Sequence, residues 1–197
     1  EQKININTAL KGLLIQLLKE CDIDDAKAEE LSSDILIWRG TIPASDDIKL
    51  YYKDNLGYSC KGNFFTVIEE LILVRGMKDI DSQKLGKLST LITVFGIGQV
   101  NINTVSKEVL KILGLTAVEE LKKVPGSTIG ETDVDALIEA IFSFRKQDNG
   151  YFTSNEINTE TIKQKLGLGD ITSDNRTKII QNLISSGLLT AISENFK

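Results

Sequence analysis

The sequence predicts a mainly α-helical fold of two tandem helical units, each introduced by a short strand, with a few other short strands. First, Asn-Ile-Asn-Thr occurs twice, at residues 5–8 and 101–104, which lie 96 positions apart. Second, apolar residues at helical spacing follow each copy. Third, no long apolar run bounded by turns indicates a central parallel sheet. We place the first unit at residues 1–95, with a long connector at 40–63, and the second unit at residues 96–197.

Both copies of the repeated motif begin as an extended segment. Apolar residues and asparagine alternate at period two, which is typical of a short half-buried strand. The threonine and asparagine side chains that follow can cap the first N–H groups of a new helix. The pattern alone also suits a plain strand-to-helix connector, but its repetition favours a structural role in both units. We assign this role to Asn5, Asn7, Thr8, Asn101, Asn103 and Thr104.

Helical periodicity and stop signals predict the elements of the first unit. Leucines at positions 10, 13, 14, 17 and 18 predict an amphipathic helix, and a second helix is predicted from Asp24 to Gly40. Residues 66–69, Thr-Val-Ile-Glu, have the form of a capping box and predict a helix as far as Arg75, with Gly76 as its left-handed stop. A shorter helix at 81–88 and a strand at 91–95 complete the unit.

The second unit is predicted to contain more helices joined by short breaks. Leu113-Gly114-Leu115 is interpreted as a tight hairpin between two helices, with Gly114 permitting the turn. A further helix begins near Thr132, residues 153–156 form a second capping box, and residues 166–168 break the next helix. The last helix spans 173–185. Residues 188–192 are predicted to form a strand whose partner lies beyond the end of the sequence.

Composition and charge disfavour several classes of function. The chain has 197 residues, is 41% hydrophobic, contains no histidine and carries a net charge of −5. An acidic chain gains little from the counterion release that drives nucleic-acid binding. Without histidine, the commonest general base and metal ligand is missing. Cys21 and Cys60 form no CxxC pair; they could form one disulfide, but two small buried apolar residues are favoured.

The helix breaks also suggest a helix-hairpin-helix or SAM-like arrangement, in which hairpin N–H groups can hold a phosphate. Val124-Pro125-Gly126-Ser127, preceded by Lys122 and Lys123, is the best candidate for such contact. The rival hypothesis is therefore a nucleic-acid-binding protein of the DNA-uptake type. We identify no catalytic residues, no cofactor-binding residues and no small-molecule substrate from the sequence, and predict that the chain is not an enzyme.

Acidic residues in the connector form one candidate metal site. Asp46 and Asp47, with Asp54 further along, could supply oxygen ligands to a calcium ion that orders the connector. The spacing does not match an EF-hand. The alternative is that these residues are solvated side chains of a loop.

The order of the motifs resembles protein K of the type II secretion system, a family of minor pseudopilins. The resemblance is carried by Lys3-Ile4-Asn5-Ile6-Asn7-Thr8-Ala9, Ile35-Leu36-Ile37-Trp38-Arg39, Tyr51-Tyr52, residues 65–77 from Phe-Thr-Val-Ile to Arg-Gly-Met, Val100-Asn101-Ile102-Asn103-Thr104 and Ser193-Glu194-Asn195-Phe196. The chain departs from the family after the tryptophan, where the usual acidic pattern is replaced by Arg39-Gly40-Thr41, and before the paired tyrosines, where Ser45-Asp46-Asp47 stands.

This resemblance implies a non-catalytic component of the pseudopilus tip that takes part in protein secretion. It implies partnership with minor pseudopilins of the I and J types, and no nucleic-acid partner. The full protein is expected in the inner membrane, anchored by an N-terminal helix absent from this sequence, with the helical region facing the periplasm. In the family, this helical region is inserted into a small pseudopilin sheet.

Overall fold

The computed structural model describes residues 2–191 and is mainly helical with a few short strands, as the sequence predicts. The chain forms two compact units. The N-terminal unit contains Ile4–Gly98, and the C-terminal unit contains the chain from Gln99 onward together with the residues before Ile4. The predicted strand at 188–192 and the motif at 193–196 lie partly or wholly outside the described residues.

The N-terminal unit places a parallel pair of strands beside its helices. Its first helix packs its leucine face against the second, and Asp24 caps the second by accepting a hydrogen bond from Lys27 N at 3.0 Å. Strand Ile92–Thr93 pairs with Ile4–Asn5, with Ile4 opposite Ile92. The elements in chain order are β1 (Ile4–Asn5), α1 (Lys11–Glu20), α2 (Asp25–Trp38), α3 (Asp46–Tyr51), a π-helical turn (Tyr52–Leu56), two 3-10 helices (Ile68–Leu73 and Met77–Asp79), α4 (Ser82–Leu91) and β2 (Ile92–Thr93).

The C-terminal unit has the same plan of strand, helices and closing parallel strand. Strand Leu189–Thr190 pairs with Val100–Asn101, with Val100 opposite Leu189. The prediction that this last strand finds its partner beyond the sequence is therefore wrong, because its partner is the second copy of the repeated motif. The elements are β3 (Val100–Asn101), α5 (Lys107–Lys122), α6 (Glu131–Arg145), a 3-10 helix (Ser154–Glu156), α7 (Thr159–Leu166), α8 (Asn175–Ser185) and β4 (Leu189–Thr190).

Gly114 does not break a helix, contrary to the prediction. Helix α5 runs without interruption through Gly114, so there is no hairpin at residues 113–115. A Cβ atom added to Gly114 would lie 2.5 Å from Cγ1 of Val134 in α6. The glycine therefore allows α5 and α6 to approach closely, and its role is packing.

The segment after Thr66 forms 3-10 helices where an α-helix is predicted. Its buried apolar side chains are Leu71 in the first 3-10 helix, Val74 in the extended residue that ends that helix, and Met77 at the start of the second. Glu70, and not Glu69, returns to Thr66, accepting a hydrogen bond from Thr66 N at 3.0 Å. Gly76 does adopt the predicted left-handed conformation, with φ of 78°.

The repeated motifs do not cap the helices that follow them. Leu10 precedes α1 and provides no side-chain cap, whereas Ser106 caps α5 by accepting a hydrogen bond from Val109 N at 3.2 Å. The predicted capping role of the threonine and asparagine side chains is therefore wrong. The first asparagine of each motif instead forms a hydrogen bond within the turn that precedes the helix.

Candidate functional site

The first asparagine of each repeated motif organises a tight turn. Asn5 Oδ1 accepts a hydrogen bond from Asn7 N at 2.8 Å, and Asn101 Oδ1 accepts one from Asn103 N at 3.0 Å. This is the geometry by which asparagine mimics a backbone turn. Thr8 adds a weak bond, donating from Oγ1 to the carbonyl of Asn5 at 3.4 Å, and both motif threonines are exposed. Thr104 lies in the equivalent turn, with its N donating to Asn101 O at 3.1 Å.

The second asparagine of each motif pairs with a buried phenylalanine elsewhere in its unit. Asn7 Nδ2 donates to Phe65 O at 3.0 Å, and Asn7 Oδ1 accepts from Phe65 N at 2.8 Å. Asn103 makes the same two contacts with Phe152, at 2.8 Å each. One side-chain amide thus pairs with both the backbone N–H and the backbone C=O of the phenylalanine, as a neighbouring strand does in a sheet.

An arginine at the end of the second helix of each unit also binds the motif. Arg39 donates from Nη1 to the carbonyl of Ile6, and Arg145 donates from Nη1 to the carbonyl of Val105 at 2.8 Å. Burial lowers the pKa of both guanidinium groups from the ordinary arginine value. These arginines and the two phenylalanines are not among the residues predicted from the sequence. A signal for the phenylalanines is present, because a phenylalanine-threonine pair occurs in each unit.

A carboxylate close behind each phenylalanine fixes the same turn. Glu70 binds Lys61 at 2.7 Å as well as Thr66. Burial alone would raise the pKa of Glu70, but the hydrogen bonds from Lys61 and Thr66 outweigh burial and hold this pKa at about 2. In the C-terminal unit Glu156 accepts from Lys165 at 2.6 Å, and this ammonium group lowers the pKa of Glu156 to about 2. The predicted capping box at 153–156 is present, on a 3-10 turn.

Replacing Asn103 by alanine should destabilise the C-terminal unit by about 1–2 kcal/mol, because two backbone groups of Phe152 lose their partner. Amide hydrogen exchange around residues 150–156 would rise accordingly. Asn155 is an exposed asparagine on the neighbouring turn, and Asn155→Ala is the matched control, expected to change stability by less than about 0.5 kcal/mol. Equal effects of the two substitutions would contradict the assigned role of Asn103.

Acid should weaken the turn that Glu70 holds. A carboxyl whose folded pKa is depressed stabilises the fold above its unfolded pKa, and the contribution is lost as the pH falls through the folded value. The difference in unfolding free energy between the parent and Glu70→Gln should therefore shrink between about pH 5 and about pH 2.5. Urea unfolding, monitored by the fluorescence of Trp38, would measure this difference. Glu69→Gln removes an exposed neighbouring carboxylate, and an equal pH-dependent gap in that variant would refute the assignment.

Beside the motif, the N-terminal unit contains an ion pair with a buried carboxylate, and an aromatic cluster. Asp34 is 1% exposed and receives hydrogen bonds from Nε and Nη2 of Arg75, the shortest at 2.6 Å. Arg75 N donates to the hydroxyl of buried Tyr52 at 2.9 Å. The ring of Tyr52 lies 5.6 Å from that of Trp38, and Tyr58 meets Trp38 edge-on at 6.2 Å. Together these contacts tie α2 to the segments that follow it.

The predicted calcium ligands do not form a cluster. Asp46 and Asp47 lie in the exposed first turn of α3, and Asp46 pairs with Lys49 at 3.0 Å. Among residues 2–191, no group of three or more cysteine, aspartate or glutamate side chains is arranged to hold a metal ion. The calcium hypothesis therefore gains no support from the described residues.

The predicted phosphate turn is surrounded by acidic side chains. Lys122 pairs with Glu119 at 2.9 Å, and Lys123 pairs with Glu120 at 2.6 Å. These two glutamates lie near the end of α5. The following helix α6 begins with acidic residues, and Asp133 accepts a hydrogen bond from Gly130 N. An acidic group already occupies the helix N-terminus that a phosphate would use.

The two cysteines are separate thiols. Cys21 is buried in α1's C-terminal turn, and burial raises its pKa to about 11. Cys60 is half-buried in the connector, and burial raises its pKa as well. The favoured interpretation, two small buried apolar residues, holds for Cys21, whereas Cys60 is unpaired but only half-buried.

Comparisons with known proteins do not identify a family for this chain: no protein-family model matches it, and no curated protein sequence matches it. Over the described part of the chain, none of the helices has both the length and the apolar character needed to cross a bilayer.

Proposed function

We propose that the chain belongs to the class of non-catalytic assembly modules, in which duplicated helical units present surfaces to partner proteins. Within that class, we propose a minor pseudopilin of the protein K type from a type II secretion system. Its full form would be anchored in the inner membrane with this region in the periplasm, and its partners would be minor pseudopilins of the I and J types.

The observation that carries this proposal is the convergence of the residues on which the family resemblance depends. Apart from Lys3, four of the resembling segments lie in the N-terminal unit. Asn7 from the first segment binds Phe65 from another. Arg39 from a third segment binds the carbonyl of Ile6. The resemblance thus rests on residues that determine the fold of the unit, and not on scattered surface positions.

The contact between buried Tyr52 and partly exposed Arg75 supports the same proposal. Tyr52 belongs to one resembling segment and Arg75 to another, and they are joined by the hydrogen bond from Arg75 N to the tyrosine hydroxyl. Trp38, from a third segment, packs on Tyr52. A chance likeness of short segments would not be expected to select residues that contact one another.

Co-purification with the other minor pseudopilins is the direct test. The full periplasmic region should form a stable complex with the I and J types in size-exclusion chromatography. The variant Asn155→Ala, altered only at an exposed position, should bind as the parent does. Absence of binding to either partner, by a region shown to be folded, would contradict the proposal.

The nucleic-acid alternative predicts a different result. A DNA-binding protein using the turn at 124–127 should bind DNA at low salt and lose affinity as salt rises. Reversing the charges of Lys122 and Lys123 should then weaken binding. Since both lysines already pair with glutamates, we expect no salt-dependent binding to double-stranded or single-stranded DNA in fluorescence anisotropy.

A further inference from the structure

The two units differ most in the segment between the motif-binding arginine and the motif-binding phenylalanine. In the C-terminal unit, 7 positions separate Arg145 from Phe152. In the N-terminal unit, 26 positions separate Arg39 from Phe65. Because both units make the same asparagine–phenylalanine contact, most of the connector at 40–63 is not needed to form it.

The connector closes on itself at its base. Gly40 has φ of 78°, and a Cβ atom there would collide with the carbonyl of Gly62. Asn63 N donates to the carbonyl of Trp38 at 3.2 Å. The two ends of the connector therefore meet, as in a compact loop whose ends are held together. Such loops are a frequent location for function on a rigid scaffold.

The connector forms one wall of a cavity of about 550 Å³ that opens to solvent. The side chain of Ile37, from α2, lines it, and the other lining residues belong to the connector. Its apolar wall includes Ile42, Pro43 and Ala44. A volume of this size lies within the range of small-molecule sites, about 300–1,000 Å³.

Two lysines give the cavity a positive side. Among the described residues, Lys49 and Lys53 line it and no acidic residue does. Lys49 pairs with Asp46 outside the cavity at 3.0 Å. Within residues 2–191, the exposed side chain of Lys53 has no hydrogen-bond or ion-pair partner. The cavity thus combines an apolar wall with one unpaired cation, the combination that suits a carboxylate carried on an apolar group.

We propose that this cavity binds a small apolar carboxylate of the fatty-acid class. The hydrocarbon part packs against Ile42, Pro43 and Ala44, and the carboxylate pairs with Lys53. The ligand is held without chemical change. The proposal does not depend on the pseudopilin assignment, because it rests only on the geometry of the connector.

The reactivity of the Cys60 thiol can show whether a ligand occupies the cavity. It lines the cavity, and its Sγ lies 3.9 Å from the carbonyl of Ile37. A ligand in the cavity will shield this thiol from a reagent in solution. Cys21 is fully buried and not part of the cavity, so it serves as an internal reference.

The test is the rate at which iodoacetamide alkylates Cys60 in the intact chain, measured by peptide mass. Decanoate, used below its micelle-forming concentration, should slow the reaction severalfold and saturably. Lys53→Met should raise the decanoate concentration needed for half-protection about fivefold, the fold-change of one partly exposed ion pair. Lys146→Met is the matched control, because Lys146 follows Arg145 in the unit that lacks the long connector, and it should behave as the parent does.

Two further measurements separate the parts of the proposal. Ala44→Trp should fill the cavity, protect Cys60 without ligand and abolish the effect of decanoate. Decanol and decylamine should protect much less than decanoate, because neither carries a carboxylate. Absence of protection by decanoate would overturn the proposal, as would equal protection by decanol or an unchanged half-protection concentration in Lys53→Met.

Discussion

Replacing Arg75 by methionine is expected to destabilise the N-terminal unit by about 3–5 kcal/mol. Asp34 is 1% exposed, and both of its carboxylate oxygens accept hydrogen bonds from the Arg75 guanidinium. Removing the arginine leaves a buried charge without its cation, which costs far more than loss of a surface ion pair. Denaturant unfolding followed by the fluorescence of Trp38, the only tryptophan, would measure the change.

The effect of Arg75→Met should also depend on pH. Burial raises the pKa of Asp34 even in the presence of Arg75, which acts in the opposite direction. Without the arginine, the protonated form of Asp34 becomes more favourable in the folded protein. The loss of unfolding free energy relative to the parent should therefore shrink as the pH is lowered. A deficit that grows at low pH would show that the loss does not come from an unpaired carboxylate.

A second substitution at the partner provides the control. Replacing both residues, Asp34→Leu with Arg75→Met, should recover most of the lost stability, because two apolar side chains of similar size leave no charge to neutralise. Lys122→Met removes an exposed ion pair in the other unit and should cost less than about 1 kcal/mol. If the double variant were as unstable as the single one, the ion pair would not be the cause.

Replacing Gly114 by leucine is expected to destabilise the C-terminal unit by about 3 kcal/mol, the upper end of the cost of overpacking. There is no room for even a methyl group, because Val134 of α6 occupies the space beside Gly114. The α5–α6 packing must therefore shift. Hydrogen exchange of the amides in α5 and α6 would detect the loss.

Gly86 is the matched control for Gly114. It also lies within a helix, α4, but nothing lies within 4 Å of an added Cβ atom. Gly86→Leu should stabilise the chain by about 0.5–1 kcal/mol, because glycine is a poor helix former. Adding Val134→Ala to Gly114→Leu should restore part of the lost stability. Two glycine variants of equal stability would exclude the packing role.

The contrast between these glycines explains why the hairpin predicted at residues 113–115 does not form. Glycine is unfavourable within a helix, so Leu113-Gly114-Leu115 has the local pattern of a break. That pattern reflects local propensity alone. The partner that makes glycine necessary, Val134, lies 20 positions further along the chain and has no local signal. Tertiary packing overrides helix propensity at this position.

Other contacts that the sequence does not predict have the same non-local origin. The asparagine repeat correctly predicts two related motifs, but not that their side chains pair with Phe65 and Phe152, because these contacts span tens of residues. The parallel pairing of β3 and β4 is equally non-local.

The shortness of the paired strands has a consequence for solubility. Among residues 2–191, each ribbon of parallel strands is two residues long, at Ile4–Asn5 with Ile92–Thr93 and at Val100–Asn101 with Leu189–Thr190. So short an edge offers few free backbone groups to a strand from another molecule, and short edges are one way in which proteins avoid aggregation. Each helical unit can thus bring its first and last segments together without creating a template for intermolecular sheet growth.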